Sequence, residues 1–210
     1  MNSTRITGDD TSRVSLCVGC SVAALLIGVA LYFALAAHAL TKETTGFGPN
    51  RPVPSDAILR SRLKPDQYRV TRQNGTETAF QNEYWNNVRP GIYVDVITGE
   101  PLFCSLDKFD GGTGRPTFTK PISKDLIAEK DDNSYDMHRI EVRAKRSDAH
   151  LGHLVADSTS STGHRYAVNS AALRFIPTDS MQHQGYAAFL SLVTQVAQNS
   201  DVGTGAAKSR

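Results

Sequence analysis

The chain has 210 residues with 23 Lys plus Arg against 21 Asp plus Glu, a formal net charge of +2. So small a charge gives no argument for a nucleic-acid or acidic partner, and none is expected; the length suits one domain with a targeting segment. Of three cysteines, Cys17 and Cys20 lie in an apolar N-terminal run, which leaves Cys104 as the one thiol of the globular part. A lone thiol excludes an intramolecular disulfide there, and with it an internal resolving pair.

Residues 1–13 read as a polar tail. From Val14 to Leu40 there is no Asp, Glu, Lys or Arg, and an uncharged run longer than about 18 residues predicts a membrane-spanning helix. A cleaved signal peptide is the alternative, because Ala34-Leu35-Ala36 and Ala37-His38-Ala39 both fit a small-x-small cleavage site. The first reading gives a single-pass membrane protein with an extracytoplasmic domain; the second gives a secreted one. Residues 41–60 are rich in Thr, Gly, Pro and Ser and read as a linker. Residues 61–180 form the domain. Lys64 to Val70 predicts a short helix with Pro65 tolerated in its first turn, and Asn74-Gly75 breaks it. Ile92–Val96, Ile140–Arg143 and Ala172–Ile176 have the β-branched and aromatic content of strands. No long helix intervenes, so the fold class is mainly β, an antiparallel sheet with short flanking helices. Within 181–198, the spacing of Phe189, Leu192, Val193 and Val196 predicts a C-terminal helix, and 199–210 reads as a disordered tail. There is no internal repeat.

Motifs follow one another in the second half. Phe80-Gln81-Asn82-Glu83-Tyr84-Trp85 precedes Gly91-Ile92-Tyr93-Val94 and Gly99-Glu100-Pro101-Leu102-Phe103. Lys108-Phe109-Asp110-Gly111-Gly112-Thr113-Gly114-Arg115-Pro116-Thr117-Phe118 comes next, then Arg139-Ile140-Glu141-Val142-Arg143 and Ala149-His150-Leu151-Gly152-His153. The series closes on Gly163-His164-Arg165-Tyr166-Ala167-Val168-Asn169-Ser170-Ala171-Ala172-Leu173-Arg174-Phe175. In this order the motifs resemble the methionine-R-sulfoxide reductase (MsrB) family, from about Leu63 to Pro177.

The resemblance implies a chemistry. A thiolate attacks the sulfoxide sulfur, donors protonate the departing oxygen, an apolar pocket takes the methyl group, and the resulting sulfenic acid is reset by a further reductant. His150 and His153 match the family's His-Leu-Gly-His, whose histidines bind the sulfoxide or carry protons. Asp157 matches an acidic residue that could orient a histidine. Arg165 matches the arginine beside the thiolate, and Asn169 a polar residue that orders the site. Thr113 and Phe118 fall in the substrate loop. Two positions depart from the family pattern. Ala167 stands where the nucleophilic cysteine belongs, and Arg115 where a tryptophan walls the methyl pocket; the single Trp of the chain is Trp85.

The family's two zinc-binding Cys pairs fall at Asp95 and Thr98 and at Ala144 and Ser147, a set that cannot hold tetrahedral zinc. The expectation is therefore the zinc-free type, with no metal and no cofactor. These features predict a membrane-anchored MsrB relative that is catalytically impaired or dead, which binds a methionine-sulfoxide-containing peptide if binding is retained, regulates an active partner, or serves as a purely structural extracytoplasmic module. The alternative is an active enzyme of protein repair under oxidative stress, acting on methionine-sulfoxide-containing proteins outside the cytoplasm with a thioredoxin-like reductant. It requires either that position 167 is an engineered replacement or that Cys104 serves as nucleophile.

Overall fold

The computed structural model describes residues 27–32, 47–48, 50–158, 160 and 162–194. The chain divides into two units, residues 1–45 and Gly46–Arg210. Of the first, residues 27–32 are helical. No helix among the described residues is long and apolar enough to cross a membrane, and the run from Val14 to Leu40 otherwise lies outside them.

In the second unit the linker is shorter than the composition predicts. Helix α1 spans Asp56–Arg62, with Asp56 in its first turn, Arg60 and Arg62 in its last, and Leu59 buried. Its charges complement the helix dipole at both ends, and one apolar anchor fixes it, too little to be read from periodicity. Helix α2, Pro65–Gln73, starts on Pro65 and ends at Asn74 in the left-handed conformation (φ 54°). Gln67 Oε1 accepts from the Lys64 amide at 3.1 Å, so a free donor at the helix start is satisfied.

Nine strands follow among the described residues: β1 Gly91–Asp95, β2 Pro101–Cys104, β3 Lys108–Phe109, β4 Thr117–Phe118, β5 Ile127–Asp132, β6 Arg139–Ala144, β7 Ala149–Ala156, β8 His164–Val168 and β9 Leu173–Pro177. They form a three-stranded sheet, β2-β1-β9, and a six-stranded sheet, β3-β4-β8-β7-β6-β5. Every pairing is antiparallel, as the sequence predicts.

Alternation of side chains along strands then divides the interior in two. Tyr93, Phe103 and Leu173 of the small sheet meet Phe118, Val142, Leu151, Tyr166 and Val168 of the large one. Phe103 stacks on Phe118 with ring centroids 4.5 Å apart. The other face of the small sheet packs Ile92, Val94, Cys104 and Ile176 against Met181, Tyr186 and Val193. These last three come from the C-terminal segment: helix α3 (Thr178–Met181), a 3-10 turn at Ala187–Phe189, and helical residues 190–194. That segment is broken where the sequence predicts continuous helix: Tyr186, whose hydroxyl donates to Gly99 O at 2.8 Å, is bound to the β1–β2 turn. The far end of the predicted helix, Val196, lies outside the described residues.

Candidate functional site

The face of the large sheet turned away from the core carries one row of directly opposed residues: Phe109, Thr117, Ala167, His153, Glu141 and Lys130. Opposed side chains on adjacent strands sit about 5 Å apart, so this row places Ala167 between Thr117 and His153. Phe118, expected at the site, is on the opposite face. It pairs with Tyr166 and is fully buried in the core. Strand parity puts Thr117 in its place.

Two histidines three residues apart on a strand would ordinarily face opposite ways. Here Val142 opposes Gly152 while Arg143 opposes His150, so one extra residue bulges from β7. The bulge restores His150 to the face of His153, with ring centroids 5.5 Å apart. A Cβ on Gly152 would lie 2.2 Å from Ala167 O. Only glycine lets β7 come this close to β8 beside position 167.

Each histidine is held by a carboxylate that the motifs did not reveal. His150 Nδ1 lies 2.6 Å from Glu141 Oε1. Glu141 also pairs with Arg143 Nη1 at 2.5 Å. A carboxylate accepts, so Nδ1 carries the proton and Nε2 keeps its lone pair. That Nε2 is buried and has no hydrogen-bond partner among the described residues. Burial lowers the pKa of His150, with Glu141 working against it. His153 Nε2 lies 2.7 Å from Asp132 Oδ2, which also accepts from Arg139 Nη2 at 2.8 Å. Hydrogen bonds from Ser134, then from His153, hold Asp132 well below the usual carboxylate range. Asp157, by contrast, pairs with Arg165 Nη1 at 3.5 Å; the histidine-orienting carboxylates are Glu141 and Asp132. Both histidines open on a polar cleft of about 930 Å³, lined also by Asn74, Thr76, Asp131 and Glu141.

The other end of the site is organised by Glu77, which also escaped the sequence. Its carboxylate accepts from the amides of Ser170 and Ala171, capping the turn that follows β8. Burial pushes that carboxyl up against the lowering effect of these amides. The Glu77 amide donates to Asn169 Oδ1 at 3.1 Å, and Asn169 Nδ2 donates to Leu151 O at 3.0 Å. The Glu77 carbonyl accepts from Arg115 Nε at 3.3 Å and Nη2 at 3.0 Å. Both Asn169 and Arg115 are thus occupied in holding backbone. Thr113 Oγ1 accepts from the Arg115 amide and lies 3.3 Å from Thr117 Oγ1. A signal for Glu77 was present only as a carboxylate just past the helix break at Asn74-Gly75, and nothing in it specifies a partner more than 90 residues away.

Cys104 lies elsewhere, in the core on the outer side of the small sheet. Its Sγ is 3.6 Å from Leu192 O, and burial raises its pKa. Three of the four positions of the family's zinc ligands, Asp95, Thr98 and Ser147, converge. Asp95, fully buried, accepts from Thr98 Oγ1 at 2.6 Å and from the Ile97 and Thr98 amides, and Ser147 also bonds to it. One carboxyl, two hydroxyls and the methyl of Ala144 do not fit tetrahedral zinc. Among the described residues no group of three or more His, Cys, Asp and Glu is placed to hold a metal ion.

Two antiparallel sheets, with a pair of carboxylate-held histidines facing one strand position on the outer sheet, define the class as the SelR (MsrB) domain. The model of that family, the SelR domain, matches residues 63–177, and the chain belongs to the family. It is 52% identical over 139 residues to the peptide methionine sulfoxide reductase MsrA/MsrB of Vibrio cholerae serotype O1. The match covers 66% of this chain and 37% of that protein, so the chain spans little more than a third of its relative.

Proposed function

We propose that this chain is a binding module of the MsrB type that no longer performs the reduction of methionine sulfoxide. One observation carries the reading: the methyl group of Ala167 stands at the centre of the site's row, between Thr117 and His153. Reduction needs a sulfur atom there to take up the sulfoxide oxygen as a sulfenic acid while the thioether is released. A methyl group offers neither a lone pair nor a proton to exchange. Cys104 does not stand in for it, because a buried thiol with a raised pKa is a poor nucleophile. Arg115 supports the same reading, since a guanidinium bound to the Glu77 carbonyl replaces the flat apolar wall a methyl group needs.

The occupant of the cleft is then a methionine-sulfoxide-containing peptide, held by the histidine end and left unreduced. The domain belongs to the zinc-free type, and residues 14–40 anchor it to a membrane with the domain outside the cytoplasm. Membrane fractionation and alkaline extraction of the full chain test the anchor; release into the soluble fraction would remove it.

The test of the main reading is an assay of the full chain on a methionine-R-sulfoxide peptide with excess dithiothreitol. The chain as given is expected to show no turnover. Ala167→Cys, alone or with Arg115→Trp, is expected to recover it, since the scaffold around position 167 is intact. Turnover by the chain as given, abolished by Cys104→Ser, would overturn the proposal.

A further inference from the structure

Beyond the histidine cleft, a second cavity of about 340 Å³ opens where β3 ends the row through Ala167. Its walls are Trp85, Val88 and Phe109, and its polar lining includes Ser105, Lys108 and Asp110. Lys108 Nζ donates to Trp85 O at 3.0 Å. An ammonium has three donors, and among the described residues Lys108 makes no other hydrogen bond and has no carboxylate within ion-pair distance. Asp110 influences it from further off and favours its charge, but burial works harder in the opposite direction. A half-buried cation beside apolar rings, with its nearest acidic neighbour not bonded to it, is costly unless an anion arrives. Val88, 93% exposed, projects an apolar side chain at the rim that none of the described residues covers.

We infer that this cavity is a second ligand site, which takes a carboxylate carried on an apolar body, such as the C-terminus of a peptide ending in an apolar residue. The carboxylate meets the two free N–H groups of Lys108, and the apolar part lies against Trp85, Phe109 and Val88. The site is separate from the sulfoxide cleft: it stands on the other side of Ala167 in the row, and it uses none of the residues that hold His150 or His153.

Trp85 is the single tryptophan of the chain and forms a wall of this cavity, so tryptophan emission reports on it. Titrating the full chain with N-acetyl-phenylalanine is expected to give a saturable change in that emission. N-acetyl-phenylalaninamide, which lacks the charge, is expected to bind at least about tenfold more weakly, the value of one charge-assisted hydrogen bond. Lys108→Met is expected to erase the preference for the acid, and Lys108→Arg to keep it. Equal responses to acid and amide would overturn the inference, as would an unchanged preference in Lys108→Met or no response at all. Should Lys108→Met fail to fold, the comparison of acid with amide on the unaltered chain decides by itself. No sulfoxide enters the experiment, so its outcome is independent of the proposed loss of reduction.

Discussion

The two ends of the site differ in what holds them. At the histidine end, every ring is bonded to a carboxylate, and the carboxylates are bonded to arginines. At the Ala167 end, the same quality of bonding exists, but it runs through backbone: Glu77 binds the Ser170 and Ala171 amides, Asn169 and Arg115. Position 167 itself is an alanine, and the groups around it are fully bonded. Order around position 167 follows from burial, because buried donors and acceptors must be satisfied whatever side chain stands there.

Gly152 is where the two ends touch, and altering it should break the comparison. Gly152→Ala would drive a Cβ into Ala167 O; overpacking of this kind costs about 3 kcal/mol. The urea midpoint is expected to fall accordingly, and NMR signals of both the histidines and the Ser170–Ala171 amides should move together. A midpoint within error of the parent would mean the strands slide apart at no cost.

Much of this was legible in the sequence. β1, β6 and β9 fall where the β-branched runs placed them, and α2 begins at Pro65 as its first-turn proline requires. The family motifs fall on strands of both sheets. What could not be read was parity and partnership. Phe118 and Thr117 are adjacent, and which of them faces Ala167 follows from the register of β4 on β8, a long-range fact. Glu77, Asp132 and Glu141 are ordinary carboxylates until the fold brings their partners within reach. Helix α1 was hidden in a polar stretch because a single buried leucine anchors it.

A smaller effect separates the ends. Glu77→Ala leaves the Ser170 and Ala171 amides without acceptors, a loss of about 2 kcal/mol expected in the same denaturation experiment. The signals of His150 and His153 should stay where they are. If they shift as far as the Ser170–Ala171 amides, the two ends form one network and the distinction drawn above is lost.

The smallest effect sharpens the other side. Burial holds the pKa of His150 below its ordinary value near 6.5. The folded state thus binds fewer protons at that ring than the unfolded one, and stability drops as pH falls from about 6.5 through the folded-state value. His150→Gln should flatten the stability profile over that interval without changing it above pH 7. An equal acid loss in the variant would assign the effect to another group.

The bulge in β7 has a consequence for how such motifs are compared between proteins. A His-x-x-His spacing is in phase with an α-helix and out of phase with a strand. On β7 it works only because the ladder skips a beat between Val142 and Arg143. Shortening the chain by the single residue Leu151 would leave both histidines in the sequence, two apart, yet erase the irregularity that fits Gly152 under Ala167. Grafted onto a regular strand, the same four letters would send one imidazole toward water and the other into the core.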